Sequence, residues 1–193
     1  MDRALILASS SRYRRALLER LQLPFETMAP DIDESAHSGE SPAALVARLA
    51  VAKAHAIAVQ RPHSLVIGSD QVAVIQDRII GKPGSHAAAV RQLREASGQK
   101  FVLYTGLALI DADSARTQSA VVPFTVKFRE LSDKQIENYL QKDRPYDCAG
   151  SVKSESLGIA LLERMDGEDP TALIGLPLIR LVTMLRNEGL AVI

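Results

Sequence analysis

An α/β fold, with a mixed central sheet flanked by helices, is predicted by three observations. Short apolar runs of strand length alternate with segments whose leucines and alanines recur at helical spacing. One of these runs, Leu65-Val66-Ile67-Gly68, is apolar without interruption, as in strands covered on both faces. Two longer strand-like stretches, residues 102–110 and 120–129, flank a polar turn around Asp113-Ser114 and predict an antiparallel pair.

Taken in order, Leu5-Ile6-Leu7-Ala8 reads as a buried strand, Ser9-Ser10-Ser11 as a turn, and the segment carrying Leu17, Leu18 and Leu21 as a helix. Residues 25–28 form a second strand and residues 29–40 a carboxylate-rich loop. Ser41-Pro42 places a capping hydroxyl before a proline in the first helical position, so a helix runs to about Val59. Its apolar residues cover most of its faces, which predicts burial. The strand at residues 65–68 ends at Ser69-Asp70-Gln71, and residues 72–80 form a hairpin broken at Gln76-Asp77-Arg78 and leading into Gly81-Lys82-Pro83.

Residues 87–96 form a further helix, and Ser132 with Gln135 has capping-box spacing for a helix over 133–141. Residues 147–158 are too small and polar for core and form a candidate site loop. Ile159-Ala160-Leu161-Leu162 reads as a strand, and a final helix covers 176–186 with Gly189 as its stop.

With 193 residues, 47% of them hydrophobic, the chain fits one domain that buries roughly 70% of its unfolded surface. The 23 basic and 23 acidic residues balance, which removes the general electrostatic argument for nucleic acid or an anionic membrane as partner. Cys148 is the only cysteine, so no intrachain disulfide forms and a reducing compartment is the simplest reading. The apolar run within residues 1–8 is too short for a secretory core, and no stretch approaches the roughly 20 apolar residues that span a bilayer.

Chemistry-bearing residues gather at a few points. Ser9-Ser10-Ser11-Arg12-Tyr13-Arg14-Arg15, at a strand end and helix start, offers N–H groups, hydroxyls and guanidinium groups to a phosphate. Simple serine capping with solvated arginines is an equal alternative from this segment alone. The glycine spacing and Lys-Ser/Thr ending of a Walker loop are absent. Asp31, Asp33 and Glu34 are oxygen donors of the kind hard cations favour, or a solvated turn. Asp70 follows an apolar strand, where parallel α/β sheets place ligands; such an aspartate also caps turns. Lys53 and Lys82 can meet a polyphosphate or run to solvent. Lys153 and Glu155 can add a cation and a base-reading carboxylate, or a surface ion pair. His37, His55, His63 and His86 show no metal-ligand spacing.

In their order along the chain, Leu5-Ile6-Leu7-Ala8-Ser9, residues 11–15, Asp33-Glu34, Lys53-Ala54, Gly68-Ser69-Asp70, Gly81-Lys82-Pro83 and Tyr104-Thr105-Gly106 resemble the Maf family of nucleotide pyrophosphatases. The motifs are weak singly and specific jointly, and they cover nearly the entire chain. The resemblance implies an α/β fold similar to inosine triphosphate pyrophosphatases, a single domain over 1–193 with two lobes around a cleft, and often a homodimer. It also implies a cytoplasmic, metal-dependent nucleoside triphosphate pyrophosphatase that house-cleans modified nucleotides.

Carried onto this sequence, the resemblance makes Asp70 the proton acceptor. Glu34 and Asp70 hold a divalent cation, Mg²⁺ or Mn²⁺, and Ser11, Arg14, Lys53 and Lys82 line the phosphate path. Within the family the chain resembles the YceF subfamily, which favours 7-methyl-GTP over dTTP and UTP, with Tyr13, Gln71 and Glu155 at the specificity positions. Arg12 stands where the family usually has proline, and Tyr13 where related chains often carry tryptophan. A pyrophosphatase preferring dTTP or UTP, and a nucleotide-binding regulator of septum formation, are the competing expectations.

Overall fold

Apolar side chains on both faces of the first strands set the architecture. The computed structural model describes residues 3–193; Met1 and Asp2, at the head of the stretch weighed as a leader, lie outside the described residues. Among the described residues, seven strands form one mixed sheet and five helices pack on it. In chain order these are β1 (Ala4–Ala8), α1 (Arg12–Glu19), β2 (Glu26–Met28), α2 (Pro42–Ala58), β3 (Ser64–Ile75) and β4 (Arg78–Ile80). They continue with α3 (His86–Ala96), β5 (Lys100–Asp111), β6 (Thr117–Phe128), α4 (Asp133–Asp143), β7 (Leu162–Asp166) and α5 (Leu178–Asn187).

The strand order is β2-β1-β3-β5-β6-β7, with β4 on β3. β1 pairs in parallel with β2 and β3, while β4 runs antiparallel to β3 and β7 antiparallel to β6. Strands β5 and β6 are neighbours joined by a connection too short for a crossover, closed by Asp111 N donating to Arg116 O at 3.0 Å, as expected of a hairpin.

The chain divides into two compact units. The first holds residues through Gln71, Thr105–Val122 and Asp169–Ile193. Leu5, Leu7, Leu65, Ile67, Leu107 and Leu109 face one way and pack with Leu17 and Leu18 of α1 and Leu181 and Leu185 of α5. Ile6, Ala8, Val66, Ala108 and Ile110 face the other way and pack with Ala50, Ala54 and Ile57 of α2. Each fully buried leucine contributes on the order of 1.5–3 kcal/mol, so this double-faced core explains the uninterrupted apolar strands.

The face toward α2 is built from small residues for a reason. A Cβ at Gly68 would lie 2.0 Å from Ala50 O, and one at Gly106 would lie 2.0 Å from Val46 O. Both glycines therefore let the backbone of α2 rest directly on β3 and β5. The serine caps come out as read: Ser11, Ser41 and Ser132 each accept a bond from an amide three residues on, and Ser132 with Gln135 completes a capping box.

The second unit holds Val72–Tyr104 and Pro123–Glu168. Its core centres on Phe101 and Phe128, whose rings lie 4.9 Å apart, with Leu93, Ile136 and Leu140 from α3 and α4 also buried.

Two expectations need correction. The strand at Asp70 does not stop there: β3 continues to Ile75, because Ala73, Val74 and Ile75 pair with β4 and are buried. Residues 157–161 are a short 3₁₀ helix instead of a strand, and the strand begins at Leu162, where pairing to β6 starts. Gly158 explains the shift, since a side chain there would meet Lys153 O at 2.3 Å and the chain turns tightly over itself.

Candidate active site

Lys53 is the centre of the arrangement. It sits on the face of α2 that lies against β3, with only 6% of its surface exposed, because Gly68 and the surrounding alanines leave room for the helix to come close. Its Nζ donates to Asp70 Oδ1 at 2.6 Å and pairs with Glu34 Oε1 at 3.0 Å. Asp70 is 7% exposed, while Glu34 reaches in from the exposed loop before α2. A buried carboxylate of this kind is stable only with such a partner.

The loop bearing Glu34 is itself fixed. Arg48 of α2 donates from Nη2 to Ser35 O at 2.9 Å and from Nε to Glu40 Oε1 at 2.7 Å. The Arg48 side chain, bonded to Glu40, and then the His37 amide hold the Glu40 carboxyl down at about 2. Asp33 is bonded by the Ser35 side chain and by Ser35 N at 2.9 Å, which closes a local turn and lowers its pKa. Asp33 therefore serves the turn, the plainer of the two readings of that cluster, and Asp31 is exposed.

Ser11 caps α1, its Oγ accepting from Arg14 N at 3.4 Å, and Ser11 N donates to Ser9 Oγ at 3.1 Å. Arg14 turns inward, its Nε donating to Gly175 O at 2.9 Å. Burial pulls its pKa down, and the charges of Asp70 and Glu34 pull it back up. A guanidinium keeps its charge at neutral pH, and Asp70 and Glu34 are near enough for their charges to act on it. Arg12 covers the ring of Tyr13, its guanidinium carbon 4.8 Å from the ring centroid, and donates to the Tyr13 hydroxyl at 2.8 Å.

Gln71 follows Asp70 on β3. Its Nε2 lies 2.9 Å from Thr105 Oγ1, 2.7 Å from Ala172 O and 3.2 Å from Leu173 O, with two protons to donate among them. Ser69 Oγ lies 2.8 Å from Gly106 O and 2.9 Å from Gly175 O, with one proton to donate between them. Ser11, Arg14, Glu34, Lys53, Asp70 and Gln71 are thus built into the first unit, most of them tied to one another or to its 169–176 loop.

Lys82 and Glu155 belong to the second unit and are exposed there. The turn of Lys82 is pinned by Gly84 N donating to Tyr146 O at 3.0 Å and by Gln92 Nε2 donating to Gly81 O at 3.1 Å. Lys153 is engaged structurally, its Nζ donating to Asp143 O at 2.8 Å. Cys148 is half-buried.

Sequence reasoning missed the supports: Ser69, Arg48 with Glu40, and the whole loop from Asp169 to Leu176. The only signal for the loop was its composition, Asp169-Pro170-Thr171 with Gly175 and Pro177, a helix-entry pattern that names no function.

A family model described as Maf-like protein matches residues 4–188. A protein of Pseudomonas aeruginosa named 7-methyl-GTP pyrophosphatase is 56% identical over 188 residues, 97% of this chain and 98% of its own. Proteins of the same name from Methylobacillus flagellatus and Nitrosococcus oceani are 56% and 54% identical, each over 98% of this chain and 98% and 95% of their own.

Proposed function

We propose a substrate and a reaction for this chain, which belongs to the Maf family. It is a nucleotide pyrophosphatase, and its substrate is 7-methyl-GTP, cleaved to 7-methyl-GMP and pyrophosphate in the house-cleaning of modified nucleotides. The observation that carries the reading is the convergence of two carboxylates, Asp70 and Glu34, on one buried ammonium beside an inward-facing arginine.

The donor set fits a hard divalent cation such as Mg²⁺ or Mn²⁺. Lys53 engages Oδ1 of Asp70 and Oε1 of Glu34, leaving one oxygen of each carboxylate over. Both are hard oxygen donors, and two protein ligands leave coordination places to phosphate oxygens and water, as Mg²⁺ prefers. Asp70 and Glu34 would hold the ion, which when bound neutralises charge on the triphosphate.

Asp70 accepts a proton from a water whose oxygen attacks the α-phosphorus. The bond from that phosphorus to the bridging oxygen breaks, and pyrophosphate leaves with its electron pair. Lys53 fixes the direction of the Asp70 carboxylate through Oδ1. Arg14 and Lys53, with Lys82 and the Ser11 hydroxyl, offset negative charge on the phosphates as the leaving group departs, which is positioning and charge stabilisation instead of covalent chemistry.

Tyr13, Gln71 and Glu155 are the base-side residues. A methylated guanine ring is a cation, which an aromatic face attracts and the Glu155 carboxylate complements. Arg12 already lies over the Tyr13 ring, a cation on the same aromatic surface. Domain organisation follows the resemblance, one domain over 1–193. The single cysteine and the nucleotide substrate favour a cytoplasmic location, and no helix among the described residues is long and apolar enough to cross a membrane.

The test is pyrophosphate release with product identification over 7-methyl-GTP, GTP, dTTP and UTP with Mg²⁺ or Mn²⁺. Release favouring 7-methyl-GTP supports the reading. Turnover favouring pyrimidines replaces the substrate, and binding without turnover of any nucleotide overturns the reaction.

A further inference from the structure

The loop of residues 169–176 supports the site through main-chain carbonyls. Gly175 O accepts from Arg14 Nε and lies within reach of Ser69 Oγ, each at 2.9 Å. Ala172 O and Leu173 O accept from Gln71 Nε2 at 2.7 and 3.2 Å. Carbonyl oxygens only accept, so the nitrogen of the Gln71 carboxamide is the atom that Ala172 O and Leu173 O hold, and Oε1 is the atom left over, 3.8 Å from where a Cβ on Gly175 would stand. Among the described residues no donor reaches Oε1, and no buried side-chain N or O atom is left without a partner, so Oε1 is open to a ligand.

Arg14 is constrained in the same way. A guanidinium can grip a phosphate side-on, through Nε and one terminal nitrogen, or end-on, through both terminal nitrogens. With Nε committed to Gly175 O, the end-on edge is the one presented.

We propose that this loop is the positioning element of the active site, and that Gly175 and Thr171 are its key residues. Its carbonyls at 172 and 173 select the acceptor face of Gln71, and its carbonyl at 175 selects the end-on edge of Arg14. This rests on the proposed reading of Gln71 as base-facing and Arg14 as phosphate-facing. A substrate must then bring an N–H donor to Gln71, as the N1–H and exocyclic amine of guanine do.

The loop's shape is held at its root. The Asp169 carboxylate, 3% exposed, accepts from Thr171 N at 3.0 Å, Thr171 Oγ1 at 2.6 Å and Ile179 N at 2.8 Å. Thr171 Oγ1 in turn accepts from Leu178 N at 2.8 Å, tying the loop to the start of α5. Gly175 has φ +120°, a conformation strained for any side chain, while a Cβ there would meet Arg14 Nε at an ordinary 3.5 Å. The demand for glycine is thus in the backbone angle that aims the carbonyl.

The experiment compares kcat and KM for 7-methyl-GTP and UTP, with melting temperatures, in the wild type, Thr171→Val, Thr171→Ser and Gly175→Ala. Thr171→Val is expected to lower kcat for 7-methyl-GTP about tenfold and its preference over UTP by a similar factor, with Thr171→Ser restoring both to within about twofold. Gly175→Ala is expected to lower kcat likewise, and to change it less than about twofold when Arg14→Lys has already removed the anchored group. Unchanged preference in Thr171→Val, no rescue by serine, or an undiminished Gly175→Ala effect in the Arg14→Lys background overturns the proposal. If one variant fails to fold, the other decides. A wild type without turnover removes the reading of the site and the loop's role with it, whereas an active wild type with indifferent variants sinks the loop alone.

Discussion

Gly68→Ala is the sharpest perturbation of the way this fold makes its site. The added Cβ would lie 2.0 Å from Ala50 O, 2.8 Å from Ala54 N and 2.9 Å from Ala54 Cβ. The two nearest atoms are helix backbone and cannot swing aside, so α2 must withdraw by about 1 Å or more to restore tolerable contact. Overpacking of this sort costs about 2 kcal/mol, which for a chain of this size lowers Tm by about 4–8 °C. The same withdrawal pulls Lys53, bonded to Asp70 at 2.6 Å, out of register with β3. A misplacement of about 1 Å is worth up to about 100-fold in turnover. Thermal melts and steady-state pyrophosphate release on the same preparations read both effects. A variant with unchanged Tm and wild-type kcat would refute the argument that glycine lets the helix carry Lys53 to Asp70.

Lys53→Met leaves the Asp70 carboxylate buried without its cation. It should cost about 3 kcal/mol in urea unfolding, much of it recovered in the Lys53→Met/Asp70→Asn double variant, with kcat down about 100-fold; additive losses would contradict this. Glu40 is held at about 2, below its ordinary 4.5, by Arg48 and the His37 amide, so its contribution is complete above pH 4.5 and fades as pH falls toward 2. Unfolding midpoints of wild type and Glu40→Gln should therefore differ at neutral pH and converge over that interval, and a constant gap would exclude the link. Gln71→Leu should reduce discrimination between 7-methyl-GTP and the analogue lacking the exocyclic amine from about tenfold to about twofold, as competition kinetics will show.

The elements were legible wherever local chemistry decides them. Ser11, Ser41 and Ser132 announce helix starts because a hydroxyl three residues before a free amide is a local arrangement. The length of β3 was not legible, since Ser69-Asp70-Gln71 looks like a strand end until β4 pairs beyond it. Ile159-Ala160-Leu161-Leu162 carries the apolar run of a strand, and the close approach of Gly158 to Lys153, which puts residues 157–161 in a 3₁₀ helix, leaves no mark in that run.

At the site, Asp70, Glu34, Lys53 and Arg14 stand out by residue type and position, each with a structural alternative, and the resemblance assigns their roles and adds Gln71. What the sequence could not carry was their partnership. Lys53 and Asp70 are 17 positions apart and Arg14 and Gly175 are 161 apart, distances closed only by the packing of α2 and the 169–176 loop on the sheet. Main-chain carbonyls, which do most of the aiming at Gln71 and Arg14, leave no mark on residue type except the glycine that permits their angle.

Hydrolysis of 7-methyl-GTP in water enriched in oxygen-18, with the products analysed by mass spectrometry, tests the central claim most directly. Attack at the α-phosphorus by a water that Asp70 deprotonates predicts the label in 7-methyl-GMP, none in pyrophosphate, and a rate lost in Asp70→Asn. Label in pyrophosphate, or undiminished turnover by Asp70→Asn, would contradict it.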